Sequence, residues 1–207
     1  MPTAYLALGS NLADRRRLLA DALAALARHP QNRLTGVSPV YETKAVGVTD
    51  QPDFLNCVVR LETDLAPHAL LDLCLAIEQQ LGRVRHERWG PRTVDLDVLL
   101  HGDTTLNDAL LTLPHPRMKE RAFVLVPLAD LAPDLLLDGE TVRAHLARLG
   151  SDGIHLTEPL SETVGAALQF TPTSRGRDGS TWERACSRGL ESPPETAPAP
   201  PSAPPPV

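Results

Sequence analysis

The eight residues of Thr93–Leu100, TVDLDVLL, constrain this chain most. On a β-strand, alternate side chains fall on opposite faces. Val94, Leu96, Val98 and Leu100 then make one face wholly apolar, and that face must be buried. Thr93, Asp95, Asp97 and Leu99 make the other, which sets two carboxylates side by side with Cα atoms about 6.6 Å apart at ~3.3 Å per residue.

Strand and helix patterns interleave around this segment. Thr3–Leu8 alternates as a first strand, and a helix follows over about 14–28, with Leu19, Ala22, Leu23 and Leu26 on one stripe and Pro30 as a stop. Arg33–Val37 and Val40–Glu42 are short strand candidates, and Phe54–Glu62 is a longer one. A second helix starts at Pro67, suited to the first helical position, and runs to Gly82; its stripe is Leu70, Cys74, Ile77 and Leu81. Two shorter helices are predicted within about 117–129 and 141–149. The pattern predicts an α+β fold, with helices packed on a mostly antiparallel sheet.

The composition changes near residue 159. Residues 192–207 hold eight prolines in sixteen positions, a composition that cannot build a packed core. The expected organisation is a folded domain over 1–158 and a disordered Pro/Ser/Ala-rich extension over 159–207. Cys57 and Cys74 fall on apolar faces and read as buried thiols; with Cys186 the count is odd, and no Cys-x-x-Cys occurs. The N-terminus lacks the features of a signal peptide, and no run approaches the ~20 apolar residues of a membrane span. A cytoplasmic setting is expected. A net charge of −6 argues against non-specific nucleic-acid or membrane binding, so an anionic ligand needs a local cluster of positive charge.

That cluster lies directly before the two aspartates. Four of the chain's twenty Lys and Arg residues, Arg83, Arg85, Arg88 and Arg92, fall within 83–92 around the rigid turn Trp89-Gly90-Pro91. Close carboxylates repel unless a cation intervenes, and magnesium takes oxygen ligands while keeping substrate phosphates in its shell. Guanidinium groups bind phosphate oxygens bidentately. Together these parts suit phosphoryl-type transfer, in which catalysis is positioning and charge neutralisation. No G-x-x-x-x-G-K-[ST] and no G-x-G-x-x-G occurs, so a nucleotide would be held by metal, arginines and side chains. In DQPDFLN, Phe54 and Asn56 share a strand face: an aromatic ring beside a carboxamide can receive a flat heterocycle. Taken singly, each feature has a bland alternative. The Asp pair and arginines can neutralise one another, Phe54 and Phe123 can be core residues, and Asn56 can cap a bulge.

At these residues the chain resembles the 6-hydroxymethyl-7,8-dihydropterin pyrophosphokinases. The matching segments are ordered: AYLALGSNLAD, YET and Gly47, DQPDFLNCVV, IEQQLGRVRHERWGPRTVDLDVLLHG, and LTLPHPRMKERAFVLVPLADLAP, over about residues 4–140. The resemblance implies a monomeric, ferredoxin-like α/β sandwich that moves the β,γ-diphosphate of ATP onto a dihydropterin hydroxymethyl group and releases AMP, a step of folate biosynthesis. It implies that Asp95 and Asp97 hold two magnesium ions and that Arg83 and Arg92 stabilise charge during transfer; the proton acceptor stays open between Asp97 and a metal-bound water. Phe54 and Phe123 would sandwich the pterin and Asn56 would bond its edge, helped by backbone near Thr43 and Ala45. Glu78, Arg85, Trp89, Arg92, Thr112, His115 and Arg121 would line the ATP site.

The chain departs from the family pattern in places. Lys44 and Ala45 stand where two prolines are frequent, Leu75 where Gln is expected, Leu110 where Arg is, and Pro116 where an aromatic is common. These departures bear on ATP and pterin affinity and leave Asp95, Asp97, Arg83 and Arg92 untouched. Three other activities stay open at this stage. They are a pterin-binding module without turnover, a nucleic-acid binder using the arginines with Trp89 and Phe54, and a magnesium-dependent phosphohydrolase.

Overall fold

A computed structural model describes residues 1–44, 51–83, 93–157 and 160. Strand β1 (Thr3–Ser10) leads into helix α1 (Arg15–Arg28), whose N-cap Asp14 accepts the backbone N–H of Arg17. After α1 come β2 (Asn32–Val37), β3 (Tyr41–Thr43) and β4 (Phe54–Thr63). Helix α2 (Pro67–Gln80) has Pro67 at its start and is followed by Gly82 at φ +79°, a left-handed conformation that glycine adopts without steric penalty. Next are β5 (Asp95–His101) and a hairpin of β6 (Leu106–Asn107) and β7 (Thr112–Leu113). A 3₁₀ turn (Met118–Glu120) precedes α3 (Ala122–Leu131), and a second hairpin joins β8 (Leu136–Leu137) to β9 (Glu140–Thr141). Helix α4 (Val142–Leu149) and strand β10 (Ile154–Leu156) complete the series.

The main sheet runs β10-β3-β4-β1-β5, with β2 also on β4, and every pair is antiparallel. Strands β1 and β4 are central. The pair β1–α1–β2 straddles β4 and the pair β4–α2–β5 straddles β1, which gives two interlocked split β-α-β units, the ferredoxin-like arrangement expected. On one face, Leu6, Leu8, Cys57, Leu61, Leu96 and Val98 pack with Leu19, Leu23 and Leu26 of α1 and Leu70, Cys74 and Ile77 of α2. On the other, Tyr5, Val58, Leu99 and Leu100 pack with Val124, Leu125 and Leu128 of α3 and Val142 of α4. Both predicted helical stripes are therefore the buried ones, although Leu81 is only half-buried. Burial pushes the Cys57 thiol up to about 12 and the Cys74 thiol higher still, so both stay protonated, apolar core groups.

Two expectations need correction. Strand β5 starts at Asp95, and Leu100 does not share a face with Val94, Leu96 and Val98. The β1–β5 register slips between Tyr5 and Leu6: Leu6 pairs with Val98 and Tyr5 with Leu100, so Leu99 is an extra residue in β5. Such a bulge reverses the parity of everything beyond it, which is why Leu99 and Leu100 both enter the second core. The predicted helix over 117–129 divides into the 3₁₀ turn and α3, and α3 carries Pro127 in its interior, where the carbonyl of Phe123 loses its usual helical donor. Among the described residues, no helix is long and apolar enough to cross a membrane.

Candidate active site

The register of the central strands assembles one row of residues across the sheet. Asp95 pairs with Gly9, Gly9 with Asn56, and Asn56 with Tyr41. Asp97 pairs with Ala7 and Phe54 with Thr43 in the neighbouring rows. Asp95, Asp97, Phe54, Asn56 and Thr43 thus share the face that α3 covers further along, where Val58 is packed. With strands about 4.8 Å apart, Asn56 and Asp95 lie ~10 Å from one another across Gly9. Gly9 leaves the floor between them open: a Cβ there would sit 3.1 Å from Asn56 Oδ1 and 3.8 Å from a ring carbon of Phe54. Asn56 Nδ2 donates to Thr43 Oγ1 at 2.8 Å, fixing the carboxamide beside Phe54. Sequence reasoning missed Gly9; a Gly-Ser-Asn triplet directly after an apolar strand was the available signal.

Arg83 ties helix α2 to β5. Its Nη1 contacts Glu78 Oε1 and lies 2.5 Å from Asp95 Oδ1. Glu78 is only 2% exposed, and its Oε1 also accepts the backbone N–H of Leu96 at 2.8 Å. Burial pushes the Glu78 carboxyl up to about 7, against the pull of the Leu96 N–H and of Arg83. Glu78 therefore bonds β5 at the residue between the two aspartates, which places it behind the site.

On the other flank, Arg121 Nη1 stands 3.6 Å from Asp97 Oδ2, and its guanidinium lies 5.6 Å from the centre of the Phe123 ring, within cation–π range. Phe123 opens α3, so its ring and that of Phe54 lie on the same side of the sheet. The backbone N–H of His115 donates to Leu99 O at 2.9 Å, which holds the segment after β7 against β5. Thr112 stands apart: its hydroxyl donates to Asn107 Oδ1 at 3.2 Å within the β6–β7 hairpin. Ala45, Arg85, Trp89 and Arg92 lie outside the described residues.

Burial, then the charges of Arg121 and Arg117, lowers the His115 pKa to about 4. An unfolded histidine titrates near 6.5, so between about 4 and 6.5 the unfolded chain binds more protons than the folded one. The stability that His115 contributes is complete above about 6.5 and is lost as pH falls towards 4, an effect of about 1–2 kcal/mol once partial solvation is allowed for. Thermal midpoints across that range are expected to fall less steeply in acid for His115→Gln than for the parent; parallel curves would remove His115 as the source.

Residues 5–133 match the family described as 7,8-dihydro-6-hydroxymethylpterin-pyrophosphokinase (HPPK). The chain belongs to the HPPK family. It is 51% identical over 158 residues, 76% of this chain and 100% of the other, to a 2-amino-4-hydroxy-6-hydroxymethyldihydropteridine pyrophosphokinase of Methylorubrum extorquens. Enzymes of the same name are 53% identical in Pseudomonas aeruginosa (72% of this chain, 93% of that one) and 46% identical in Bacillus subtilis (72% and 93%). Among solved structures, an HPPK-DHPS crystallised with substrates aligns at TM-score 0.58 and 15% identity over 71% of this chain and 43% of its own. A Plasmodium falciparum HPPK-DHPS variant gives 0.57 and 15%, over 71% of this chain and 45% of its own. At these identities the structural likeness shows the fold alone.

The donor set fits the magnesium that an HPPK implies. Asp95 and Asp97 supply hard oxygens with side chains 21% and 39% exposed, so each is accessible to solvent. Among the described residues no three His, Cys, Asp or Glu side chains converge on one point. Magnesium is commonly bound by one or two carboxylates, with water and substrate phosphates completing its octahedron, and this pair suits that mode.

Proposed function

We propose that this chain transfers diphosphate from ATP to the hydroxymethyl group of 6-hydroxymethyl-7,8-dihydropterin, giving the pterin diphosphate and AMP, a step of folate biosynthesis. The observation that supports this reading is the row Asn56–Gly9–Asp95, which brings a carboxamide and a carboxylate onto one face of the sheet, with Asp97 in the next row. Phe54 and Phe123 stack on the pterin, and Asn56, held by Thr43, bonds its edge. Asp95 and Asp97 would hold magnesium, two ions in this reading, and the metal would supply neutralisation of the triphosphate charge. Arg83 and Arg92 would stabilise charge during transfer, and Arg121, beside Asp97, would meet the triphosphate. The resemblance gives Arg85, Trp89 and His115 to the nucleotide; it gives Glu78 and Thr112 too, but Glu78 lies buried behind the site and Thr112 stands apart in its hairpin, so neither is kept in this reading. The hydroxymethyl oxygen bonds to the β-phosphorus as the bond from that phosphorus to the α,β-bridging oxygen breaks; AMP leaves with that oxygen, and the hydroxyl proton passes to Asp97 or to water. In this reading the catalytic unit is residues 1–158, in a cytoplasmic setting, and it acts as a monomer, as the resemblance implies.

Purified protein with ATP, magnesium and the dihydropterin is expected to form AMP only when pterin and magnesium are both present. Orthophosphate in place of AMP would mean a hydrolase, and pterin binding without AMP would mean a binding module. Gly9→Ala is expected to press on the Asn56 carboxamide and raise the pterin KM about tenfold, with the magnesium requirement unchanged. Steady-state kinetics check this, and an unchanged pterin KM would place the pterin elsewhere.

A further inference from the structure

The β1–β5 ladder ends at Gly9 and Asp95, and the β3–β4 ladder ends at Thr43 and Phe54. Beyond both ends, side chains of one hexapeptide, Ser10–Arg15, continue the cross-linking that backbone groups begin. Ser10 is fully buried, and its hydroxyl donates to the carbonyl of Thr93, two residues before Asp95. Asn11 is 1% exposed; its Nδ2 donates to Gln51 Oε1 at 3.1 Å and to Pro52 O at 3.2 Å, two residues before Phe54. Arg15 Nη1 donates to Asp53 O at 2.6 Å, next to Phe54, and to Glu42 Oε1 at 2.8 Å, next to Thr43. The chain cannot use backbone here, because it leaves the strand to start α1, passing through Ala13 at φ +56°.

We propose that Ser10, Asn11 and Arg15 are positioning residues for the reaction: Ser10 sets the strand that carries the metal-binding aspartates, and Asn11 with Arg15 sets the strand that carries the pterin-binding ring. The inference rests on the function proposed above. None of the three touches the reacting atoms. Each acts through a carbonyl one or two residues from a working side chain, and all lie between the end of the central strand shared by both halves of the site and the first residue of α1. Their effects should therefore separate by substrate, whereas a general support of the fold would move both together.

The test uses the full chain and three variants, Ser10→Ala, Asn11→Ala and Arg15→Met. The magnesium activation midpoint and the KM values for ATP and for dihydropterin are measured separately. Ser10→Ala is expected to raise the magnesium midpoint and the ATP KM about five- to tenfold while the pterin KM stays within about twofold. Asn11→Ala and Arg15→Met are expected to do the reverse, and Arg15→Lys to recover part of the loss. Arg15 is partly exposed, so its variants keep the test alive should a buried substitution prevent folding. Calorimetric binding of pterin alone, and of manganese alone as a magnesium probe, reads the two arms without turnover. If the parent chain makes no AMP, the proposed function falls, while this split in binding still decides the positioning roles. Equal shifts in both arms, or none, overturn the proposal.

Discussion

Asp97→Ala and Asp95→Ala are each expected to lower turnover about a thousandfold or more, the loss of ~4 kcal/mol of transition-state stabilisation. The geometry makes the pair hard to replace. Both side chains project from the same face of one short strand, and Asp97 has Arg121 at 3.6 Å while Asp95 has Arg83 at 2.5 Å. Removing one carboxylate leaves the remaining one with flanking arginines that neutralise it, so a cation is no longer drawn to the site. Folding should survive, since both aspartates are only partly buried and the opposite face of β5 is unchanged. The measurement is AMP formation against magnesium concentration, with melting temperature as the control for folding. Near-normal turnover in either variant would overturn the metal assignment.

Arg83→Ala is expected to reduce kcat about a hundredfold with pterin binding little changed. It should also destabilise the fold by about 2 kcal/mol, because Glu78 then loses its compensating cation in a buried position. The carboxyl, already raised to about 7, rises further and takes up a proton at neutral pH. Adding Glu78→Gln to Arg83→Ala separates the two contributions: stability should return and turnover should not. If turnover returned as well, Arg83 would serve the reaction only by neutralising Glu78.

The Asp pair, the two long helices and the main strands were legible because each follows a strict period. The α1 and α2 stripes repeat at helical spacing, and Phe54–Thr63 alternates with an apolar inner face. The bulge at Leu99 was not legible: the apolar run Val98-Leu99-Leu100 ends the alternation of TVDLDVLL, but which residue is extra shows only once β1 is laid beside it. The β6–β7 and β8–β9 hairpins have strands of two residues, too short to carry alternation. Glu78 was readable in part. It follows Cys74 by four residues, so it sits on the buried stripe of α2, where a lone charge demands a partner; that the partner would be Arg83 needed the turn after the helix. Ser10 and Arg15 gave no signal, because their acceptors lie 83 and 38 residues away.

The shared row across β3, β4, β1 and β5 bears on how such a sequence can diverge. Adding or deleting one residue within β1, β4 or the first half of β5 would turn Asp95, Asp97 or Asn56 into the core and bring a leucine out in its place. Length variation among descendants should therefore gather in the β6–β7 and β8–β9 hairpins, which pair only with themselves, while the spacing from Asp95 to Leu99 stays fixed. A library of single-codon deletions along the gene, selected for growth without external folate, should show that boundary as a sharp edge in survival.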